Sequence, residues 1–156
     1  MSLESVRDYF AMHAPDIAII TQAASTATVA EAAETLGVLP GQIAKTLSVR
    51  VGDAPMLIVA RGDVRLDNRK TKEALGGRPR MIGADEVERL TGHPVGGVCP
   101  FGLAEPLPIY CDVSLKAFDL VYPAAGSRTA SVCLAPARLA ALAGAKWIDV
   151  CQPPSE

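Results

Sequence analysis

The stretch Lys45-Thr46-Leu47-Ser48-Val49-Arg50-Val51-Gly52-Asp53 is followed by a continuous apolar run at residues 56–60, which ends at Arg61. Apolar and polar residues alternate from Leu47 to Val51, which is the two-residue period of a strand with one buried face. Gly52-Asp53 is typical of a hairpin turn. The apolar run that follows predicts a central strand that is buried on both faces. Together these patterns predict a β-hairpin at the centre of a sheet.

Helices and further strands flank this hairpin along the chain. Thr28 and Gly37 bracket apolar residues at helical spacing, as a capped helix requires, and Ser2 precedes a similar helix that Pro15 ends. Further helices are predicted at 65–75, 84–90 and 136–142, and further strands at 17–21, 80–82, 109–113, 118–122, 130–134 and 146–150. Because several strands are joined by short turns, the pattern favours an α/β (α+β) fold with a mixed sheet over a doubly wound parallel one.

Length and composition indicate one globular domain over residues 1–156. Of the 156 residues, 49% are hydrophobic and 21% are charged, which is ordinary for a folded domain. The sequence has 15 Lys and Arg residues and 17 Asp and Glu residues, which gives a net charge of −2. This balance excludes a protein that holds nucleic acid by bulk positive charge. Residues 152–156 are expected to form a flexible tail.

The sequence predicts a cytoplasmic protein without a membrane segment. Its apolar runs are far shorter than the roughly 20 residues of a membrane helix, and its N-terminus lacks the pattern of a signal peptide. The four cysteines, at positions 99, 111, 133 and 151, form no C-x-x-C pair, so they predict free buried thiols rather than a zinc site. No metal or cofactor is expected. A monomer is expected, because no helix shows a long exposed apolar face.

Lys45 is the first candidate functional residue. The strand register places it on the same face as Leu47 and Val49, although a lysine is rarely buried without a partner. One interpretation is that its side chain reaches solvent at the end of the strand. The other is a cation at the mouth of a pocket, where the low dielectric strengthens its hold on a phosphate or carbonyl oxygen.

Residues 91–108 form a long segment without any periodic pattern. They contain four glycines and four prolines in eighteen positions, and a loop of that length in a compact domain is usually functional or disordered. Gly96-Gly97 lets backbone N–H groups approach a ligand closely, and Pro100 fixes the chain just after them. The segment is neither a Walker A loop nor a Rossmann fingerprint. The alternative interpretation is a plain surface turn.

Cys99 lies inside this loop and is a candidate nucleophile only where a base or a positive charge forms its thiolate. His93 is six residues upstream, but the sequence shows no third residue that orients it. His93 is therefore expected to be a turn residue. A thiol-dependent hydrolase that uses Cys99 is the least favoured of the functions considered.

Several segments together resemble the YbaK-type editing domains, which are related to the editing insertion of bacterial prolyl-tRNA synthetase. Gly41-Gln42-Ile43-Ala44-Lys45-Thr46-Leu47 is similar to the family's lysine-bearing strand. Gly96-Gly97-Val98-Cys99-Pro100 is similar to its Gly-x-x-x-Pro loop, and Phe101-Gly102 continues the match. Segments at 62–67 and 125–128 also resemble the family. The resemblance runs from about residue 15 to residue 150, with the motifs in the family's order.

This resemblance implies a mixed, curved sheet flanked by helices and a trans-acting deacylase that hydrolyses the ester of mischarged tRNA. It implies that Lys45 holds the substrate's phosphate or carbonyl end. The backbone N–H groups of Gly96-Gly97-Val98-Cys99, followed by Pro100, would position the carbonyl and the attacking water. The resemblance also implies that a hydroxyl of the terminal ribose would assist that water, so that no protein base would be required. Substrate binding is expected of Thr46, Phe101, Gly102, Gly126, Ser127 and Arg128.

The expected partner is the acceptor end of an aminoacyl-tRNA, and an aminoacyl-tRNA synthetase is a further candidate partner. The expected substrate is tRNA-Pro carrying a small residue such as Ala, Cys, Ser or Thr, which size alone separates by only ~1–3 kcal/mol. The main alternative function is a non-catalytic module that binds a tRNA end or a small aminoacyl or nucleotide ligand. The basic residues Arg65, Arg69, Lys70 and Lys72 either assist the acceptor end or form a solvated helix face.

Overall fold

The computed structural model describes residues 2–154, which form helices on both faces of a central sheet. Within this range the helices are α1 (Ser2–His13), α2 (Val29–Leu36), α3 (Asn68–Leu75), α4 (Ala84–Thr91) and α5 (Pro136–Ala143). The strands are β1 (Ile20–Thr21), β2 (Ile43–Val51), β3 (Ala54–Arg61), β4 (Pro79–Met81), β5 (Ile109–Asp112), β6 (Tyr122–Pro123), β7 (Ala130–Ser131) and β8 (Lys146–Ile148).

The predicted hairpin is confirmed and organises a mixed sheet. β2 and β3 pair in antiparallel register from Ala44 opposite Arg61 to Val51 opposite Ala54. β5 runs parallel to β3, and β8 runs parallel to β5. β1 and β7 form a separate two-stranded antiparallel ribbon. The fold is a mixed α+β domain, as the sequence predicts.

The outer edge of β2 is shared by two short strands that leave an opening between them. β6 pairs in parallel with residues 43–44, and β4 pairs in antiparallel register with residues 49–51. Within residues 2–154, neither strand pairs with Lys45, Thr46 or Leu47 on this edge. The sheet therefore opens beside Lys45.

Two apolar clusters cover the two faces of the sheet. Residues 57–60 of β3 are at most 1% exposed, which confirms the predicted central strand. One cluster joins Ala44 and Val59 of the sheet to Val6 and Phe10 of α1 and to Leu139 of α5. The other joins Val49, Ile58 and Ala60 to Val64 and Val150.

Some elements differ from the prediction because side chains redirect the backbone. The helix predicted at 65–75 begins at Asn68, because the Asp67 side chain accepts the N–H of Lys70 at 3.0 Å and caps it. Asp112 accepts the N–H of Ser114 at 2.9 Å and starts a 3-10 turn, Val113–Ala117. The strand predicted at 109–113 therefore ends at Asp112. Of the strand predicted at 118–122, only Tyr122 lies in a strand, β6. The strands predicted at 17–21 and 130–134 are likewise reduced to the two-residue strands β1 and β7.

The C-terminal segment that the structure describes is hydrogen-bonded to the domain at its start. Ser155 and Glu156, which belong to the expected flexible tail, lie outside the described residues. The N–H of Gln152 donates to the carbonyl oxygen of Arg65 at 2.8 Å, so the start of that tail is bonded to the domain. Within residues 2–154, no helix has the length and apolar character that crossing a membrane requires.

Candidate active site

A small pocket of about 120 Å³ lies at the opening beside Lys45. It is formed where the start of α2, the start of β2 and the glycine-rich loop meet. The predicted site residues Lys45, Thr46, Gly96 and Val98 all line it, and Thr28 of the α2 cap lines it as well. The remaining walls are apolar and come from Ala27, Val29, Ile43, Ala44 and Ala124.

Lys45 is held beside this pocket by backbone carbonyl groups. Its Nζ donates to the carbonyl oxygen of Gly62 at 3.2 Å and to that of Val64. The side chain is half-buried, and this burial lowers the pKa of the ammonium group, partly opposed by the negative charge of Asp63. An ammonium group has three N–H donors, so one donor remains for a ligand. The lysine is thus oriented by the protein rather than extended freely into solvent.

The turn that receives Lys45 depends on a close backbone contact at Gly62. A Cβ added to Gly62 would overlap the carbonyl oxygen of Pro40 and would lie 3.0 Å from that of Ile43. Both obstacles are backbone atoms, so only glycine fits at this position. This close contact fixes the segment at 62–67, whose carbonyl oxygens at Gly62 and Val64 are the two acceptors of Lys45.

Thr46 presents an unsatisfied hydroxyl group beside the pocket. Its Oγ1 is buried and has no hydrogen-bond partner within residues 2–154. Leaving a buried hydroxyl unpaired costs about 1–3 kcal/mol, and such groups in folded proteins call for an explanation such as an unseen water or ligand. Because neighbouring residues in a strand point to opposite faces, Lys45 and Thr46 reach the pocket from the two faces of the sheet.

The glycine-rich loop crosses one side of the pocket and is fixed at Gly97. The N–H of Gly97 donates to the carbonyl oxygen of Pro94 at 2.9 Å, and its carbonyl oxygen accepts the N–H of Gly126 at 3.0 Å. The family resemblance implies that the Gly97 N–H contacts the substrate, but this donor already closes a turn within the protein. The N–H groups of Gly96, Val98 and Cys99 donate no hydrogen bond within residues 2–154, and they remain candidates.

The side chains that follow the glycines turn into the core. Cys99 and Phe101 are fully buried, and the Phe101 ring packs edge-on against Phe10 with 4.8 Å between centroids. Burial raises the pKa of the Cys99 thiol to about 12, so it is not a nucleophile at neutral pH. Pro100 is also buried. A Cβ on Gly102 would lie 2.8 Å from the Ser5 carbonyl oxygen, so this part of the loop packs on α1 and does not line the pocket.

The turn Gly126-Ser127-Arg128 supports the loop from the other side and does not line the pocket. The Nε of Arg128 donates to the carbonyl oxygen of Val95 at 2.9 Å. Gly126 and Ser127 border a different cavity, of about 760 Å³, beside the start of α1. These three residues therefore hold the loop, and any contact they make with substrate lies outside the small pocket.

His93, which the sequence predicts to be a turn residue, is fully buried. It is 0% exposed; its Nδ1 lies 2.6 Å from the Ser2 hydroxyl and its Nε2 lies 2.7 Å from the Phe101 carbonyl oxygen. Burial lowers the pKa of the imidazole. The sequence carries no signal for this placement, because Ser2 is 91 residues away along the chain. The sequence predicts that Ser2 caps α1, but its hydroxyl lies between His93 Nδ1 and the carbonyl oxygen of Gly126.

The basic face of α3 is largely engaged by carboxylates of the same chain. Arg69 lies 3.4 Å from Glu73, and Lys70 lies 3.1 Å from Asp149. Both pairs are exposed, so they contribute little to stability. This arrangement favours the solvated-face interpretation of α3 over a dedicated contact with nucleic acid.

The pocket offers hydrogen-bond donors and no general base. Its lining residues include no Asp, Glu, His or Cys. Lys45 supplies a positive charge, and backbone N–H groups of Gly96 and Val98 are nearby. Such donors stabilise negative charge that develops on a carbonyl oxygen during acyl transfer. Within residues 2–154, no three His, Cys, Asp or Glu side chains are grouped as metal ligands would be.

Comparison with known protein families gives a match to an aminoacyl-tRNA editing domain over residues 23–142. The matched region includes Lys45, the glycine-rich loop and residues 126–128. The chain belongs to the aminoacyl-tRNA editing domain family. This editing domain is 47% identical over 154 residues to the uncharacterized protein YwhH of Bacillus subtilis (strain 168), covering 97% of this chain and 98% of that protein.

Two further relatives connect the editing domain with prolyl-tRNA synthetase. It is 34% identical over 90 residues to the proline–tRNA ligase of Citrifermentans bemidjiense, a match that covers 57% of this chain and only 16% of the ligase. The crystal structure of a candidate trans-editing enzyme for prolyl-tRNA synthetase is 33% identical and has a TM-score of 0.88, covering 97% of this chain and 98% of that one. This editing domain therefore shares the fold of that structure.

Proposed function

We propose that this editing domain is a trans-acting deacylase that hydrolyses the ester bond of mischarged aminoacyl-tRNA. The observation that carries the proposal is the meeting of Lys45, the unpaired Thr46 hydroxyl and the backbone of Gly96 and Val98 at one small pocket. All of these groups can donate hydrogen bonds, and the pocket lining holds no carboxylate or imidazole that could act as a base. The arrangement suits a reaction in which the protein orients an ester and stabilises its carbonyl oxygen.

The reaction proceeds by attack of water on the ester carbonyl carbon. Lys45 holds the phosphate or carbonyl end of the substrate, and the N–H groups of Gly96 and Val98 donate to the carbonyl oxygen as it gains negative charge. The neighbouring hydroxyl of the substrate's terminal ribose orients the water and takes part in moving its proton to the leaving ribose oxygen. The ester C–O bond breaks, and the free amino acid and the uncharged tRNA leave.

The proposed substrate is tRNA-Pro that carries a small amino acid, with Ala, Cys, Ser and Thr as the candidates. The pocket volume of about 120 Å³ and its short walls at Ala27 and Ala124 support a small side chain. Similarity to a proline–tRNA ligase supports the choice of tRNA. The proposed binding partner is the acceptor end of that tRNA, with prolyl-tRNA synthetase as the candidate protein partner.

The test is ester loss from a panel of tRNAs charged with Ala, Cys, Ser, Thr and Pro. The wild-type protein is compared with Lys45→Ala and with Lys72→Ala, a control at an exposed lysine of α3. We expect rapid loss on one or two substrates, abolished in Lys45→Ala and retained in Lys72→Ala. Loss at the spontaneous rate on every tRNA would refute the deacylase. Saturable binding of a charged tRNA without turnover would then establish the non-catalytic module.

A further inference from the structure

A single buried imidazole connects the two ends of the loop that carries Gly96 and Val98. His93 begins this loop and Phe101 ends it, and the ring Nε2 lies 2.7 Å from the Phe101 carbonyl oxygen. A carbonyl oxygen only accepts hydrogen bonds, so Nε2 is the donor. The imidazole therefore joins the first residue of the loop to the last one through a hydrogen bond.

The other side of the ring reaches the middle of the same loop. The Nδ1 of His93 lies 2.6 Å from the Ser2 hydroxyl, and that hydroxyl contacts the carbonyl oxygen of Gly126. The N–H of Gly126 donates to the carbonyl oxygen of Gly97 at 3.0 Å. Gly96 and Val98 line the pocket. They lie between His93 and Phe101, which the ring joins directly, and on either side of Gly97, whose partner Gly126 lies against the Ser2 hydroxyl.

The imidazole has no direct access to a bound substrate. It is 0% exposed and does not line the small pocket. Its closest thiol is that of Cys99, with Sγ 3.6 Å from Nε2, and Cys99 is fully buried as well. Any effect of His93 on the reaction must therefore pass through the loop.

We propose that His93 is a positioning residue for ester hydrolysis, and the proposal rests on the deacylase function given above. Its ring holds the loop so that the N–H groups of Gly96 and Val98 face the carbonyl oxygen of the substrate. These donors matter most when that oxygen becomes negative, so a loosened loop lowers the stabilisation of the transition state more than that of bound substrate. The expected signature is a fall in kcat with little change in KM.

Four variants test this role. His93→Gln carries an amide N–H near the position of Nε2 and retains a donor for Phe101, whereas the shorter side chain of His93→Asn does not reach it. Ser2→Ala removes the hydroxyl that lies beside Nδ1 and Gly126 and leaves the Nε2 hydrogen bond to Phe101 in place. His13→Gln is the matched control, because His13 is an exposed histidine on α1. Deacylation kinetics and thermal unfolding are measured on each protein.

We expect His93→Asn to lower kcat by about 10- to 100-fold, as misplacement of catalytic groups by roughly an ångström does. His93→Gln should restore part of the loss, and Ser2→Ala should lower kcat less. The control His13→Gln should match the wild type. Equal kcat in His93→Asn and His13→Gln, or a loss fully explained by the unfolded fraction, would overturn the proposal. If His93→Asn does not fold, Ser2→Ala and His93→Gln decide by the same criterion.

Amide ¹H–¹⁵N shifts of Gly96 and Val98, recorded without substrate, separate this proposal from the deacylase itself. Both amides should shift in the His93 variants and stay unchanged in His13→Gln. If the wild type hydrolyses no charged tRNA while these amides still move, the deacylase fails and the hold of His93 on the loop stands. If the wild type is active and the amides do not move, the positioning role fails and the deacylase stands.

Discussion

The backbone of Gly97 packs directly against the backbone of Ser127: a Cβ on Gly97 would lie 2.7 Å from the Ser127 amide nitrogen and 2.8 Å from its Cα. No flexible side chain is available to move aside. The hydrogen bond from the Gly126 N–H to the Gly97 carbonyl oxygen, at 3.0 Å, fixes the same contact. The φ angle of Gly97 is not positive, so the backbone conformation does not require glycine there. Glycine is required because the two loops approach each other so closely.

Gly97→Ala is expected to destabilise the protein and to displace the pocket-lining loop. Overpacking of this kind costs about 1–3 kcal/mol, and deacylation should fall by at least about tenfold because the loop donors move. Urea unfolding and ester loss measure the two effects. The control is Gly83→Ala, where a Cβ meets no atom within 4 Å and φ is −66°. Wild-type stability and activity in Gly97→Ala would contradict the packing argument.

Thr46→Val is expected to separate stability from activity. Its Oγ1 has no partner within the described chain, so replacing the hydroxyl by a methyl group should leave the free energy of unfolding unchanged or raise it by about 1 kcal/mol. Deacylation should fall, because the substrate loses a hydrogen bond. In the control Thr71→Val, the lost hydroxyl donates to the Asp67 carbonyl oxygen at 2.8 Å, and stability should fall. A Thr46→Val variant that is less stable and fully active would show that the hydroxyl has a structural partner.

Lys45 is expected to make the free energy of unfolding increase with pH in the alkaline range and to make the activity decrease there. Burial lowers its pKa from the usual 10.5, so between the lowered value and 10.5 the unfolded chain binds more protons than the folded one. Stability therefore rises with pH in that window, and the rise should be absent from Lys45→Met. Activity needs the ammonium group and should fall as pH passes the lowered pKa.

The measurement for Lys45 is the difference in unfolding free energy between wild type and Lys45→Met from pH 7 upward. Taking the difference removes the titration of other groups. Ester loss is followed over the same range and corrected for spontaneous hydrolysis. A difference that does not change with pH would show that Lys45 keeps an ordinary pKa in the folded protein.

The cysteines are expected to differ sharply in reactivity. Burial raises the pKa values of Cys99, Cys111 and Cys151 to about 12 from the usual 9.0, whereas Cys133 is partly exposed. Because the folded values lie above the unfolded ones, these thiols contribute stability below pH 9 that is lost as pH rises toward 12.

Thiol titration with a disulfide reagent at pH 8 checks this difference. One cysteine should react in the native protein and all four in denaturant, and Cys133→Ser should remove the native reaction. Rapid native modification of a second thiol would show that one of the three buried sites opens easily. Cys99→Ala should leave deacylation near the wild-type level, since the thiol takes no part in it.

The β2–β3 hairpin and the ends of α2 can be predicted from short stretches of sequence. The alternation at residues 47–51 and the turn at Gly52-Asp53 predict the β2–β3 hairpin. Thr28 and Gly37 predict the two ends of α2, where the Thr28 side chain accepts the Glu31 N–H at 3.1 Å and Gly37 adopts a φ of 71°. Each of these features depends on residues within a few positions of one another. The resemblance of short motifs likewise predicts Lys45 and the glycine-rich loop as the candidate site.

The hairpin, the capped helices and the mixed α+β class can be predicted from the sequence, and the resemblance adds the two segments of the candidate site. Their environment depends on the folded chain: Lys45 is held by residues 62–64, the Gly97 N–H is already bonded, Cys99 faces the core and His93 is buried against Ser2. The physical reason is the range of the interactions. Periodicity and capping act between near neighbours, whereas these contacts depend on how distant segments pack once the whole chain has folded.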